Sequence, residues 1–255
     1  MRIWTLSRRT FLGIICILLG LLLFIFALVG KTASASATNK KLPIYSVETD
    51  EKKIAITFDA AWTNQDTEEI IEILKKHNAK ATFFIVGDWA DKFPESVKAF
   101  YDAGHTIANH SDTHKAFSKC TREEIKAEII NCNDKLEKIT GEKVTLLRAP
   151  SGDYTNESLE VTESLNMFMI QWDNDSLDYT GLTVDEIVNR VVSRARNGSI
   201  VLFHNGVDTT AEALDKVLTE LEKQGYTFVS VNDLIYRDNY SIDHTGRQYL
   251  DAESE

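Results

Sequence analysis

Three histidines and a group of aspartates fall where a parallel α/β fold would bring them together. His110 and His114 stand four apart in Asn109-His110-Ser111-Asp112-Thr113-His114. At that spacing one helical turn places both imidazoles on one face, in reach of one metal ion. Asp59 closes the apolar run Lys53-Ile54-Ala55-Ile56-Thr57-Phe58, and His204 follows Ile200-Val201-Leu202-Phe203. Arg148 precedes Ala149-Pro150, and Asp175 and Asp178 come soon after Trp172. Carboxylates and imidazoles at neighbouring strand ends suit acid–base hydrolysis, assisted by a metal if the two histidines bind one. Each residue alone has an ordinary use: Asp59 starting a turn, His204 as a satisfied core histidine, Asp175 and Asp178 capping a turn, Arg148 in a structural ion pair. Their ordered recurrence along one rim is what those uses fail to explain.

The elements that must position them alternate. Short β-type runs are expected at Lys53–Phe58, Ala81–Val86, Thr106–Asn109, Val144–Arg148, Phe168–Trp172, Ser199–Phe203 and Thr227–Val231. Between them, Asp66 with Glu69, Thr121 with Glu124, and Thr183 with Glu186 read as capping boxes ahead of apolar stripes. Ile125, Ile129, Cys132, Leu136 and Ile139 recur at helical spacing. Gly104, Gly141, Gly198 and Gly225 each follow a helical pattern, at C-terminal cap positions. Seven strands alternating with helices or long loops imply a parallel sheet, either an open doubly wound one or a small, incomplete (β/α) barrel. In a barrel, the C-terminal strand ends hold the chemistry. No Gly-x-Gly-x-x-Gly loop follows the first strand, which removes the main support for dinucleotide binding.

The chain ends differ from this core. Arg2, Arg8 and Arg9 precede an uncharged apolar run of nineteen residues from Phe11 to Val29. Its length favours a membrane anchor, while Ala33-Ser34-Ala35-Ser36-Ala37 suits signal peptidase, so anchor and cleaved signal both stand. The arginine-rich flank places the bulk of the chain outside the cytoplasm, and Ser7-Arg8-Arg9 also resembles a twin-arginine export signal. The expected organisation is signal segment 1–30, linker 31–47, barrel domain 48–238 and polar tail 239–255. Net charge is −11, and without the three arginines of the first thirty residues it is −14, 25 basic against 39 acidic. So acidic a domain repels phosphate polymers, which excludes nucleic acid as an expected partner. Three cysteines make no disulfide framework. Cys16 lies in the apolar run, Cys132 on an apolar helix face, and nothing in the spacing requires Cys120 to pair with it. The sequence specifies no oligomeric state.

Thr57-Phe58-Asp59, His110-Ser111-x-x-His114, Arg148-x-Pro150-x-Gly152, Asp175-Ser176-x-Asp178-Tyr179 and Leu202-x-His204, in that order, resemble the five motifs of polysaccharide deacetylases, carbohydrate esterase family 4. The resemblance spans Lys53 to Leu234 and is nearest the exported, often sporulation-associated Gram-positive branch. It implies a distorted (β/α) barrel of about seven strands and a metal-dependent N-deacetylase acting on an N-acetylated glycan of the cell envelope. It further implies His110 and His114 as ligands of a divalent metal, Zn²⁺ first and Co²⁺, Mn²⁺ or Ni²⁺ as alternatives. Asp59 is then the general base, His204 the general acid oriented by Asp178, and Arg148 the partner of Asp59. A backbone N–H near Ser151 would hold the oxyanion. Tyr154, Trp172 and Tyr179 offer either flat faces for sugar rings or barrel packing.

This sequence departs from the family where a second aspartate, a metal ligand, usually follows the base. Ala60 stands there, with Ala61 in place of the usual glycine, and Ser151 replaces a common tyrosine. Two histidines with waters, or with Asp59 or Asp112 recruited, would hold the metal weakly. A catalytically silent glycan-binding protein of the same fold is the alternative. A carboxylate-pair glycosidase would need a second strand-end acid at a fitting distance from Asp59.

Overall fold

The structure, a computed structural model, describes residues 17–21 and 41–251. Most of the apolar run, Cys16 and the Ala33–Ala37 motif lie outside the described residues. No described helix is long and apolar enough to cross a membrane. Lys41 onward forms a compact unit.

After β1 (Ser46–Val47) comes β2 (Lys53–Ala60), in which every residue from Ile54 to Ala60 is buried. A strand covered on both faces must be apolar throughout, and this one is, apart from Thr57 and Asp59. It pairs with β3 (Thr82–Ile85), β8 (Ile200–His204) and β9 (Thr227–Val229), all parallel. The sheet continues through β4 (Thr106–Asn109), β5 (Leu146–Leu147) and β6 (Phe168–Met169) on one side, and β7 (Asn174–Asp175) beyond β8 on the other. The order β6-β5-β4-β3-β2-β8-β7 curls into the expected distorted barrel. All seven expected strands are present, shortened at β5 and β6. The eighth, β7, is a two-residue polar strand with no periodicity to betray it.

Side chains alternate across the sheet. Ala55, Phe84, Ala108, Leu146, Ile170 and Ile200 fill the inner face. Ile54, Ile56, Phe58, Ala60, Phe83, Ile85, Val201 and Phe203 point outward into the helix layer. There they meet Ile125, Ile129, Cys132 and Leu136 of the helix Arg122–Thr140, and Leu214, Val217, Leu218 and Leu221 of the helix Thr210–Lys223. Burying each such Ile, Leu or Phe contributes roughly 1.5–3 kcal/mol before chain entropy is counted. Cys120 and Cys132 are both free thiols.

Two of the three expected capping boxes form, Thr121 with Glu124 and Thr183 with Glu186. The third does not. Asp66 makes no side-chain cap to its helix, Thr67–Lys76, because its Oδ2 accepts the N–H of Gly206 at 2.6 Å. A local signature has been overridden by a tertiary contact. Gly198 is needed where it stands: its φ is +76°, and a Cβ there would lie 1.8 Å from the carbonyl oxygen of Val47.

Within the described residues, the end of the expected linker and much of the expected tail fold into strands. Ile44 and Val47 are buried, and β1 pairs with a hairpin of β10 (Tyr240–Ile242) and β11 (Arg247–Leu250). Buried Gln248 bonds both the N–H and the carbonyl of Tyr236. These strands are too short and polar to show a period. Their stability comes from a partner just over two hundred residues away, Ser46 against Arg247. Removing residues 239–255 should therefore lower the thermal midpoint by about 5 °C or more, since each kcal/mol lost shifts a domain of this size by roughly 2–4 °C. An unchanged midpoint in calorimetry would return this segment to the status of a dispensable tail.

Candidate active site

Asp59 is the last inward-facing residue of β2, and the parallel register sets it directly opposite His204 at the end of β8. Asp59 is 5% exposed. Its Oδ1 accepts from Arg148 Nη1 at 2.7 Å, and its Oδ2 lies 3.4 Å from His110 Nε2. Burial opposes the carboxylate charge. The pairings with His110, Arg148 and His204, and the hydrogen bond from Arg148, outweigh burial and hold Asp59 below the usual carboxylate range.

Arg148 is wholly buried just beyond β5. Its Nη2 donates to Thr57 Oγ1 at 2.9 Å and to the Gln171 carbonyl at 3.1 Å, and its guanidinium lies over the Phe84 ring at 4.0 Å. Its own carbonyl faces His110 Nδ1 at 2.9 Å. A carbonyl can only accept, so Nδ1 carries the proton and Nε2 presents its lone pair to the site. Burial pushes the His110 pKa down to about 4, so the ring is neutral at pH 7.

A second side-chain pair lies across the strand. His204 Nδ1 meets Asp178 Oδ1 at 2.8 Å, and the His204 N–H donates to Asp178 Oδ2 at 2.7 Å. Thr210 Oγ1 also donates to Asp178 Oδ2. Asp178 thus fixes the Nδ1–H tautomer and leaves Nε2 for exchange with a bound molecule. Burial works against the imidazolium, but the Asp178 hydrogen bond and the charges of Asp59, Asp178 and Asp175 prevail, and His204 titrates above its ordinary value. Trp62 stacks on the imidazole with ring centroids 5.0 Å apart, and Tyr179 meets its edge at 4.9 Å.

His110 and His114 do meet, with ring centroids 5.0 Å apart, but not on a helical turn as the spacing suggested. Ser111 and His114 have φ of +64° and +58°, so the segment is a left-handed turn. Each such residue costs about 1–2 kcal/mol. Asp112 is not available as a ligand, because its carboxylate pairs with Lys135 Nζ at 2.6 Å. Ala60 sits fully buried on the outer face with Phe58 and Ile85.

Among the described residues no group of three or more His, Cys, Asp or Glu side chains has the geometry of a metal site. The donor set still fits a cation held by two imidazoles. The lone pair of neutral His110 and the Asp59 carboxylate face each other at 3.4 Å without a proton between them, an arrangement that a positive charge relieves.

Asp59, His110, His114, Ser151, Trp172, Tyr179 and His204 line one cavity of about 200 Å³, together with Ala61, Trp62, Asp175 and Leu202. Water takes roughly 30 Å³ in the liquid, so the cavity has room for a group of a few heavy atoms and a water beside it. Arg148 and Asp178 lie behind this wall as supports. Tyr154 is not in the wall: its hydroxyl is 3.4 Å from that of Tyr45 and its ring packs on the core. Trp62 takes the place that Tyr154 was expected to fill. An exposed tryptophan three residues past a strand-end aspartate was the signal for it. Both oxygens of Asp175, the remaining rim acid, are engaged by Trp172 Nε1 and the Leu177 N–H, which disfavours a glycosidase pair.

A curled parallel barrel with a buried Asp–Arg pair facing an Asp–His pair at its C-terminal rim is an architecture of the carbohydrate esterase class. The polysaccharide deacetylase model matches residues 46–170. A peptidoglycan-N-acetylglucosamine deacetylase of Bacillus cereus is 36% identical over 197 residues, 75% of this chain and 92% of that protein. The peptidoglycan-N-acetylmuramic acid deacetylase PdaA of Bacillus subtilis is 34% identical over 75% of this chain and 74% of its own. A solved CE4 family pseudoenzyme from Bacillus anthracis superposes with a TM-score of 0.74 at 33% identity, over 76% of this chain and 69% of that one. A mutant of it described as having restored enzymatic activity superposes equally well. The chain belongs to the polysaccharide deacetylase family, CE4. Against three longer curated relatives it spans 66%, 60% and 47% of their length.

The Asp178 contact can be tested without substrate. In Asp178→Asn the raised His204 pKa should fall, because burial then meets less opposition. NMR titration of the His204 ring reads this directly, and an unmoved midpoint would remove Asp178 from its orienting role.

Proposed function

We propose that this domain is a metal-dependent N-deacetylase acting on an amino-sugar polymer of the cell envelope, peptidoglycan or a related glycan. The observation that supports it most is the placement of Asp59 and His204 opposite each other in one strand pair, each with its own buried partner. Asp59, kept ionised by Arg148, takes the proton of the attacking water. His204, whose protonated form is favoured by Asp178, gives a proton to the leaving sugar amine. The N–H of Ser151, a cavity-lining residue, would donate to the developing oxyanion. A divalent ion held by His110 and His114, zinc first among candidates, would supply Lewis-acid polarisation of the acetyl carbonyl and of the water. Trp62, Trp172 and Tyr179 offer their faces to the sugar rings at the rim. We place the domain outside the cytoplasm, on the composition of residues 1–30.

Acetate release from N-acetylglucosamine oligomers and from peptidoglycan, titrated with divalent metals, tests the reading. Release should depend on metal, and Asp59→Asn should lower turnover by about 10²–10⁴-fold even at saturating metal. Undiminished turnover would sink the base assignment.

Ala60 and the similarity to a pseudoenzyme favour a second reading, a silent glycan-binding domain. No acetate release with any divalent metal, together with glycan binding, would decide for it. Ala60→Asp probes the same position. A new carboxylate in this buried place is destabilising unless it finds a cation. The variant should therefore melt lower than the parent without metal and gain more from added Zn²⁺, following the linkage between ligand binding and stability. Equal metal-dependent shifts in the two proteins would mean that residue 60 does not reach the ion.

A further inference from the structure

One acidic side chain on the buried face of the helix Arg122–Thr140 has no part in the chemistry above. That face is Ile125, Glu128, Ile129, Cys132 and Leu136, and Glu128 is 6% exposed. A carboxylate taken out of water needs hydrogen bonds or an ion partner to stay there. The cation near it, Lys115 Nζ at 3.6 Å, belongs to a largely exposed side chain, and such pairs are weak. The bonds come instead from one residue. Thr113 donates its N–H to Glu128 Oε2 and its hydroxyl to Oε1, both at 2.7 Å. Thr113 immediately precedes His114.

The same helix grips the turn at its other end. Asn109 Nδ2 donates to the Ile129 carbonyl at 2.9 Å and to Asn133 Oδ1 at 2.7 Å. Asn109 Oδ1 accepts the Ser111 N–H, and Ser111 Oγ accepts the His114 N–H. Between these grips, Lys135 holds Asp112, and the N–H groups of Gly87 and Asp88 bond the carbonyls of Ser111 and Asp112. Gly87 has no room for a side chain, since a Cβ there would lie 2.1 Å from Asp112 Oδ1. A turn with two non-glycine residues in the left-handed region relaxes unless its surroundings over-determine it.

We infer that Glu128 is a positioning residue, a bidentate clamp on Thr113 that holds the left-handed turn and so aims the His114 imidazole at His110. The consequence for metal binding rests on the reading of these histidines as ligands; the clamp does not. Where two imidazoles must do the work of three ligands, their relative aim weighs more on affinity, and outer contacts of this kind change metal affinity by about 10–100-fold.

The test uses the full chain with Glu128→Ala and Glu128→Gln, and two readouts. In the metal-free protein, amide hydrogen exchange at Thr113 and His114 should speed up by about tenfold or more in Glu128→Ala, while the amides of Asp59 and His204 keep their protection. Calorimetry and visible absorption with Co²⁺ should then show affinity weakened by about 10–100-fold and an altered spectrum. Glu128→Gln should recover most of both, because its amide oxygen accepts the Thr113 N–H and its amide nitrogen can donate to the Thr113 hydroxyl. A folded Glu128→Ala protein with parental exchange at Thr113 and His114 overturns the clamp. If that variant does not fold, Thr113→Val removes only the hydroxyl bond and is read in the same way. A parent protein that binds no Co²⁺ defeats the ligand reading alone, and the exchange data still decide on Glu128.

Discussion

The buried pairing of Arg148 with Asp59 is the constraint on which the site depends. Taking a guanidinium and a carboxylate out of water is costly, and their attraction repays it only when the remaining hydrogen bonds are met. Here Thr57 and the Gln171 carbonyl take the Nη2 donors and Phe84 covers the guanidinium face, while Nε stays buried without a partner among the described residues. One residue thereby ties β2 to the segment after β6 across the barrel interior. Its backbone serves as well, since the Arg148 carbonyl sets the proton of His110 on Nδ1. A single buried arginine thus determines the charge state of the candidate base and the tautomer of a candidate ligand.

Two similar pairs at the rim are driven in opposite directions by the same low-dielectric surroundings. Asp59 is shifted toward its ionised form by a fixed cation, and His204 toward its protonated form by a fixed anion. The register of β2 and β8 places the two residues side by side, so a base and an acid share one cavity. Both partners, Arg148 and Asp178, are buried, and Asp178 accepts from the His204 ring, the His204 N–H and the Thr210 hydroxyl.

Ala60 gives this family member its particular character. The Asp59–Arg148 and His204–Asp178 pairs are kept, while the Ala60 methyl group joins the apolar outer face. The family includes proteins named as deacetylases and a solved pseudoenzyme, both at similar identity to this chain. On the proposed reading, with a carboxylate lacking at residue 60, the geometry of the two histidines becomes the remaining control. That geometry is held by the helix Arg122–Thr140, outside the cavity itself.

The sequence by itself determined what is local or periodic. Strands such as Ile54–Phe58 and Ile200–Phe203 are continuous apolar runs, the Thr121 and Thr183 capping boxes are closed within four residues, and Asp59, Arg148 and His204 stand at recognisable strand ends. What depended on distant partners was not legible. Asp66 abandoned its capping box for Gly206, the polar residues 240–250 folded because β1 lay beside them, and Trp62 rather than Tyr154 reached the cavity wall. The turn at His110–His114 shows the division most clearly. Its spacing was plain in the chain and brought the two rings together. Its left-handed backbone was set only by tertiary contacts, because non-glycine residues enter that conformation against their own preference and stay there when buried neighbours such as Glu128 and Asn109 leave no other.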